Sequence, residues 1–239
     1  MIQLSPVVKN IIIINAIMFF ASFVFAEMGR DFDGIMSGYY FLSPIFRPWQ
    51  LITHMFMHAN LAHIFFNMYA LVIFGPALES RFGAKKFLFY YLSCGFGAYL
   101  LHEGINHLEI QHAIKMITGA EYQEVLEHGL EVLKSNHMYR NQYMNTIMYG
   151  NFMGVVGASG AVFGILLAFG MLFSEVELRL LFIPFPIKAK WFVVIYGGIE
   201  LLMALRNAPD DNVAHYAHLG GMLFGFIMIK YWKSKNMLY

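Results

Sequence analysis

The stretch NFMGVVGASGAVFGILLAFGMLF, residues 151–173, decides the fold class. It contains one serine, Ser159, and no charged residue, and its length is close to the ~17–25 residues that a helix needs to cross a bilayer. Comparable apolar runs lie on both sides of it, at 7–26, 55–78, 87–102, 191–205 and 213–232. The sequence therefore predicts an all-α polytopic membrane protein, a bundle of six transmembrane helices in a single domain over 1–239.

The composition agrees with a membrane protein. Of the 239 residues, 59% are hydrophobic and only 13% are charged, unlike the usual soluble domain. The formal net charge is +1, and nucleic acid is not an expected partner. The single cysteine, Cys94, lies within an apolar run, so the sequence predicts neither a disulfide framework nor a zinc site of Cys and His ligands.

The distribution of charges predicts the orientation in the membrane. The run 7–26 resembles a signal peptide, but five more runs follow and no persuasive cleavage site appears, so we interpret it as a span. Six spans place both termini on one side, and cytoplasmic segments are rich in Lys and Arg. With cytoplasmic termini, the inner segments carry Lys9, Arg81, Lys85, Lys86, Arg179, Lys188, Lys190, Lys230, Lys233 and Lys235, whereas the outer segments are mostly acidic. The compact core, with no transit peptide recognised, favours a bacterial inner membrane.

An insert of polar character, 103–150, separates spans three and four on the outer side. Thr118 and Glu121 have the spacing of a capping box, and an amphipathic helical pattern follows them. We expect this helix to lie on the membrane surface or on the protein. A role in admitting substrate is the alternative.

Polar side chains in three spans are predicted to lie at one depth. At ~1.5 Å per residue, Ser159 lies about 12 Å along span four from its outer end, and His218 lies about 9 Å along span six. In span two, His63 and Asn67 lie about 9 Å and 15 Å deep on one helical face. A hydroxyl, an imidazole and two further polar groups therefore converge at one level.

This convergence fits nucleophilic catalysis. A serine needs a base within hydrogen-bonding distance, and the oxyanion that forms needs donors. Glu200 is interpreted as close to the outer end of span five, so no carboxylate is expected near His218. A Ser-His dyad, Ser159 and His218, is therefore the expected catalytic form.

Glycines accompany both dyad residues. Gly157 and Gly160 flank the serine, while Gly221 and Gly225 follow the histidine with the spacing that lets two transmembrane helices approach closely. Close approach would bring Ser159 and His218 together. The alternative is a purely structural role, with the glycines as a packing motif and the histidine as an interhelical hydrogen-bonding group.

Three motifs resemble those of the rhomboid family of intramembrane proteases, over nearly the whole chain except the insert. They are His54-Met-Phe-Met-His58-Ala-Asn-Leu-Ala-His63-Ile-Phe-Phe-Asn67, Gly157-Ala-Ser159-Gly160, and Ala217-His218-Leu-Gly-Gly221-Met-Leu-Phe-Gly225. Trp49 and the sequence Glu79-x-Arg81-x-Gly83 are supporting matches.

The resemblance implies that Ser159 attacks a peptide bond of a membrane protein substrate and that His218 transfers the proton. It also implies an oxyanion site formed by the His63 and Asn67 side chains with the Ser159 backbone N–H, opening to the extracytoplasmic side. No cofactor or metal is implied. The sequence departs from the family at Gln50, where many members have Arg, and at Phe163, where a Tyr often stacks on the catalytic histidine.

Two other functions remain as alternatives. A binder of metal or haem would use the histidines near the outer face: His54, His58, His63, His215 and His218. A non-catalytic relative of the family would bind and escort membrane proteins, although such relatives typically lack the serine or the histidine. The histidines in or beside the insert are expected to be solvated surface groups: His102, His107, His112, His128 and His137.

Overall fold

The computed structural model describes residues 4–179, 185–206 and 214–238, and helices dominate these ranges. The predicted outer loop with Asp210 and Asp211, and the first residue of the run 213–232, lie outside the described residues. The helices are α1 (Pro6–Glu27), α2 (Phe32–Met36), α3 (Gln50–Thr53), α4 (Leu61–Phe82), α5 (Ala84–Ile114), α6 (Gly119–Lys134), α7 (Gln142–Phe152), α8 (Ser159–Leu172), α9 (Ala189–Arg206) and α10 (His215–Ser234). A 3₁₀ turn, His54–Phe56, lies between α3 and α4, and a short antiparallel hairpin of β1 (Glu177–Leu178) and β2 (Ile187–Lys188) precedes α9.

Helix α8 lies at the centre of the bundle. It packs against α4, α5, α9 and α10, and most of its residues are buried. Its sequence is apolar on every side, as expected for a helix surrounded by protein. The most uniformly apolar segment of the chain therefore forms the core, and its neighbours bring their side chains to its first turn.

Small residues let α8 and α10 approach closely. A Cβ added to Gly221 would overlap the carbonyl oxygen of Gly160, and one added to Gly225 would lie 3.3 Å from the Cα of Gly164 and overlap the Tyr90 hydroxyl. Tyr90 donates a hydrogen bond to the Gly164 carbonyl oxygen at 2.7 Å. The two helices are thus in backbone contact over two turns, which fixes the distance between the residues they carry.

Helix α1 is attached to α4 through Glu79. This buried carboxylate accepts hydrogen bonds from the backbone N–H groups of Val7 and Val8, both at 3.0 Å, and from the Ser5 hydroxyl. Those N–H groups belong to the first turn of α1 and have no acceptor within the helix. Glu79 therefore caps α1 from a neighbouring helix.

The insert is helical. Helix α5 continues twelve residues beyond the predicted end of span three at 102, and α6 and α7 pack against each other. The capping box of α6 is confirmed: the Thr118 Oγ1 accepts from the Glu121 N–H, and the Glu121 carboxylate accepts from the Thr118 N–H at 2.8 Å. This bond to the backbone N–H lowers the pKa of Glu121. A small apolar core joins the insert helices to the outer end of α5.

The predicted run 151–173 is not one continuous helix. Helix α7 ends at Phe152, residues 153–158 are not helical, and α8 begins at Ser159. Within the break, Gly157 has a φ of +130°, which is incompatible with a continuous α-helix. Span two also begins later than 55, because Asn60 caps α4 by accepting a hydrogen bond from the His63 N–H at 2.8 Å.

Two of the described helices, α1 and α4, are long and apolar enough to cross a membrane, and α8 is apolar but shorter. Large apolar side chains are exposed along α1 and α9, among them Ile17, Phe20, Val194 and Leu202. Continuous exposed apolar surface of this kind suits contact with lipid. The count of six spans stays a prediction.

Candidate active site

Ser159 is the first residue of α8, where the chain turns from an extended segment into the helix. The extended segment is held in place by hydrogen bonds between Val155 and Gly38, at 2.7 and 2.9 Å, and by the Gly157 N–H, which donates to the His54 carbonyl oxygen at 2.9 Å. The sequence-based position, about 12 Å inside a continuous helix, is therefore wrong. Its position at the helix start gives Ser159 neighbouring backbone N–H groups that have no acceptor within the helix.

His218, in the first turn of α10, faces the serine. Its Nε2 lies 2.9 Å from the Ser159 Oγ, which is hydrogen-bonding distance. The His218 ring stacks on Phe163, with centroids 4.1 Å apart and an angle of 10° between the planes. Phe163 therefore packs on the histidine without the hydroxyl of a tyrosine.

Glu200 occupies the other side of His218, and the prediction that no carboxylate lies there is wrong. Its Oε2 is 2.8 Å from the His218 Nδ1 and 2.6 Å from the His215 Nδ1, and the carboxylate is buried. Glu200 lies six residues before the end of α9, and His218 is the fourth residue of α10, so the two meet where the C-terminal part of α9 lies beside the start of α10.

The two hydrogen bonds of His218 assign its tautomer. A carboxylate only accepts hydrogen bonds, so the Nδ1 atom carries the proton that it donates to Glu200. In the neutral ring the Nε2 atom then has a lone pair directed at the Ser159 hydroxyl. This is the tautomer that a general base for the serine requires.

His63 comes from α4 and approaches the serine from the side of Gly157, and Asn67 lies one turn further along the same helix. A Cβ added to Gly157 would lie 2.7 Å from the His63 Nε2 and 3.5 Å from the Ser159 Oγ, so the absence of a side chain opens the space between them. The Asn67 Nδ2 donates to the His63 carbonyl oxygen at 3.0 Å, which uses one of its two amide protons.

Comparison with known proteins gives a family. Residues 46–234 match the model of the Rhomboid domain. The chain belongs to the rhomboid family. Its helical architecture is thus that of a membrane-embedded bundle.

The relatives of this rhomboid include bacterial and eukaryotic proteins. An uncharacterised mitochondrial rhomboid protein of Schizosaccharomyces pombe is 29% identical over 80% of this chain and 53% of its own length. RHOMBOID-like protein 6, mitochondrial, of Arabidopsis thaliana is 27% identical over 75% of this chain and 42% of its own length. The rhomboid protease AarA of Providencia stuartii is 26% identical over 92% of this chain and 69% of its own length. The chain thus spans about half the length of the first two relatives.

A small cavity of about 20 Å³ adjoins the serine of this rhomboid. A cavity needs roughly 10–15 Å³ to hold one water molecule, so this one is large enough. Polar groups are available at its wall, since His54, Tyr99 and Ser159 line it together with Gly157 and Ala217.

Glu200, His215 and His218 also form a group that could hold a metal ion, since their ligand atoms lie within 4.8 Å of one another. The hydrogen bonds from the two imidazoles to the carboxylate account for this arrangement without an ion. Among the described residues, this is the group whose ligand atoms lie close enough to hold a metal ion. One of its members, His218, is also the hydrogen-bond partner of Ser159.

The prediction that the histidines of the insert are solvated is wrong for two of them. The Nδ1 atom of His102 is buried and has no hydrogen-bond partner among the described residues. His107 is partly buried, and its Nδ1 atom lies 2.5 Å from the Tyr40 hydroxyl oxygen. Because α5 extends past residue 102, these side chains lie on a packed helix and not in a loop.

Proposed function

We propose that this rhomboid is a serine endopeptidase that cleaves membrane proteins within or beside their transmembrane segments. The observation that carries the proposal is the 2.9 Å distance between the Ser159 Oγ and the His218 Nε2. A serine hydroxyl is unreactive unless a base takes its proton, and His218 is placed and oriented to do so. The names of relatives such as the rhomboid protease AarA are compatible with this activity.

The first chemical step is attack of the Ser159 Oγ on the carbonyl carbon of the substrate peptide bond. The His218 Nε2 takes the hydroxyl proton as the new C–O bond forms, and the carbonyl oxygen becomes an oxyanion. The protonated His218 then gives that proton to the leaving nitrogen, the C–N bond breaks, and an acyl ester on Ser159 remains.

The second step is hydrolysis of the ester. A water molecule gives a proton to the His218 Nε2 as its oxygen attacks the ester carbon, and the proton returns to the Ser159 Oγ when the ester bond breaks. The cavity beside Ser159 is large enough for one water, which supports access of water to the ester.

The oxyanion needs hydrogen-bond donors near Ser159. The backbone N–H of Ser159 belongs to the first turn of α8, where the helix dipole also favours negative charge. The His63 Nε2 and the second amide proton of Asn67 complete the proposed set. Each donor of this type is worth roughly 3–4 kcal/mol in the transition state.

The proposed setting is a bacterial inner membrane, with six spans, both termini in the cytoplasm, and the active site open to the extracytoplasmic side. The basic inner segments support this orientation. The exposed apolar side chains of α1 and α9 support direct contact with the bilayer, from which a substrate helix would arrive.

The test is cleavage of a single-span substrate in liposomes, with a metal chelator present throughout. We expect cleavage by the wild type and a loss of more than about a thousandfold in the variants Ser159→Ala and His218→Ala. A serine-reactive fluorophosphonate should label the wild type and not the Ser159→Ala variant. Equal cleavage by the Ser159→Ala variant would contradict the nucleophile.

The two alternatives have distinct outcomes, the first in the same experiment and the second in a metal analysis of protein purified without chelator. A non-catalytic escort would bind the substrate helix but neither cleave it nor react with the fluorophosphonate. A metal-binding function at Glu200, His215 and His218 would give stoichiometric metal in the purified protein, lost in the His215→Gln variant.

A further inference from the structure

We propose that Glu200 is a positioning residue for His218, so that the proposed protease works with the linked series Ser159, His218 and Glu200 and not with a serine and histidine alone. This inference rests on the proposed function. It assigns a role to a third helix, because Ser159 comes from α8, His218 from α10 and Glu200 from α9.

The first argument is the geometry of the contact. The Glu200 Oε2 lies 2.8 Å from the His218 Nδ1, and the Ser159 Oγ lies 2.9 Å from the Nε2 of the same ring. The imidazole thus has a hydrogen-bond partner at each nitrogen. Together with Phe163 stacked on its face, these contacts leave the ring one orientation.

The second argument is the protonation state that the contact selects. The two neutral tautomers of histidine are close in energy in water, and only the form with the proton on Nδ1 has a free Nε2 lone pair. The Glu200 carboxylate accepts the Nδ1 proton and so favours the active form. When the Nε2 atom takes the serine proton, the same carboxylate compensates the positive charge on the ring.

The third argument is burial. Glu200 has 5% of its surface exposed, and a buried carboxylate is costly unless hydrogen-bond donors compensate it. Among the described residues, two imidazoles of α10 donate to its Oε2, His215 at 2.6 Å and His218 at 2.8 Å. The contact with His218 joins the carboxylate to the reacting atoms.

The experiment compares the Glu200→Gln and Glu200→Asp variants with a matched control, Glu103→Gln. Glu103 is a second buried carboxylate, hydrogen-bonded by the Asn106 Nδ2 at 2.9 Å and outside the proposed catalytic contacts. Glutamine can present its NH₂ group to His218 and then favours the wrong tautomer. We expect kcat of Glu200→Gln to fall by about 10- to 1000-fold with KM within twofold of the wild type. Glu200→Asp should be intermediate, and Glu103→Gln unchanged.

A second measurement separates positioning from a general structural role. If Glu200 acts through His218, then Glu200→Gln should have no further effect on the fluorophosphonate labelling rate in a His218→Ala background. Equal additional losses in both backgrounds would overturn the inference. If Glu200→Gln fails to fold, the labelling rates of Glu200→Asp are compared in the wild-type and His218→Ala backgrounds instead, with the same criterion.

Failure of this inference differs from failure of the proposed function. If the wild type cleaves and labels in a manner dependent on Ser159 and His218, and Glu200→Gln keeps kcat within twofold, only the role of Glu200 is overturned. If the wild type neither cleaves the substrate nor reacts with the fluorophosphonate, the protease function itself is contradicted. The proposed role of Glu200 then fails as well.

Discussion

Ser159 combines two properties at one residue because of where it lies in the chain. As the first residue of α8 it has a hydroxyl facing His218 and an N–H that the helix does not use. Gly157 makes this possible, since its φ of +130° ends the extended segment and its missing side chain leaves room for His63. A nucleophile in the middle of a helix would have no free N–H to offer to an oxyanion.

The role of Asn67 can be tested against a matched asparagine. The side chains of Asn67 and Asn151 each donate to the carbonyl oxygen four residues earlier, at 3.0 and 2.8 Å. Asn67 is on α4, the helix that carries His63, whereas Asn151 is on α7. We expect Asn67→Ala to lower kcat by about 10- to 1000-fold, the effect of losing one oxyanion donor, with little change in KM.

Asn151→Ala is the control, because it removes the same kind of local hydrogen bond from α7. It should change thermal stability and leave kcat of the folded protein near that of the wild type. Equal losses of kcat in both variants would show that the effect of Asn67 is structural.

At the scale of elements, the backbone contact between α8 and α10 sets the distance from the serine to its base. Gly221→Ala places a methyl group against the Gly160 carbonyl oxygen, so the helices must separate. Overpacking of this type costs about 1–3 kcal/mol, and we expect a lower melting temperature together with loss of cleavage.

Gly198→Ala is the matched control for that change. Gly198 is also within a helix, α9, but a Cβ added there meets no atom within 4 Å. Its substitution should leave activity intact and raise helix stability slightly, because alanine has the higher helix propensity. Comparable damage from both substitutions would contradict a specific role for the α8–α10 contact.

The capping box of α6 predicts a local effect that depends on pH. Thr118→Ala removes the side-chain cap, and amide hydrogen exchange in the first turns of α6 should become about three- to tenfold faster. The pKa of Glu121 is lowered by its bond to the Thr118 N–H. The stabilisation of α6 by ionised Glu121 is therefore fully present above the ordinary carboxyl pKa. It is lost as the pH falls through the lowered pKa of Glu121.

Hydrogen exchange measured from neutral pH down to about pH 3 checks this dependence, after correction for the intrinsic exchange rate. In the wild type, protection of α6 relative to α7 should decrease towards the acidic end. A constant ratio of protection over that range would contradict the contribution of Glu121.

The sequence predicts some elements better than others, for physical reasons. The apolar runs predict helices because burial or lipid contact requires apolar side chains, and the capping box predicts the start of α6 because its bonds are local. The break at 153–158 was missed because its residues are as apolar as those of α8. Gly154 and Gly157 signal it, but glycine also occurs within transmembrane helices.

At the scale of the whole molecule, the missed contact of Glu200 has a different cause. The depths of Ser159, His218, His63 and Asn67 along their spans, and the motifs around them, bring these residues together, whereas Glu200 meets His218 only through the packing of α9 on α10. A carboxylate in an apolar helix is itself a signal of a functional site. The sequence places Glu200 near one end of its span, but which side chains that end meets depends on tertiary structure.

The predicted orientation can be tested with single cysteines in a Cys94→Ser background. Lys85 is the second residue of α5, in the basic segment where α4 gives way to α5, and Glu127 lies on α6 in the insert; both side chains are exposed. If positive charge directs segments to the cytoplasm, the two residues are on opposite sides of the membrane. A membrane-impermeant maleimide should then label Glu127→Cys in intact bacterial cells and Lys85→Cys only after the cells are opened.

Protease activity of each single-cysteine variant is the control for native folding. Labelling of both positions in intact cells would contradict the six-span arrangement, because residues 85 and 127 are separated only by the predicted third span. Labelling of Lys85→Cys alone would reverse the orientation. The active site would then open to the cytoplasm, because Ser159 and His218 lie at the ends of α8 and α10 that adjoin the insert.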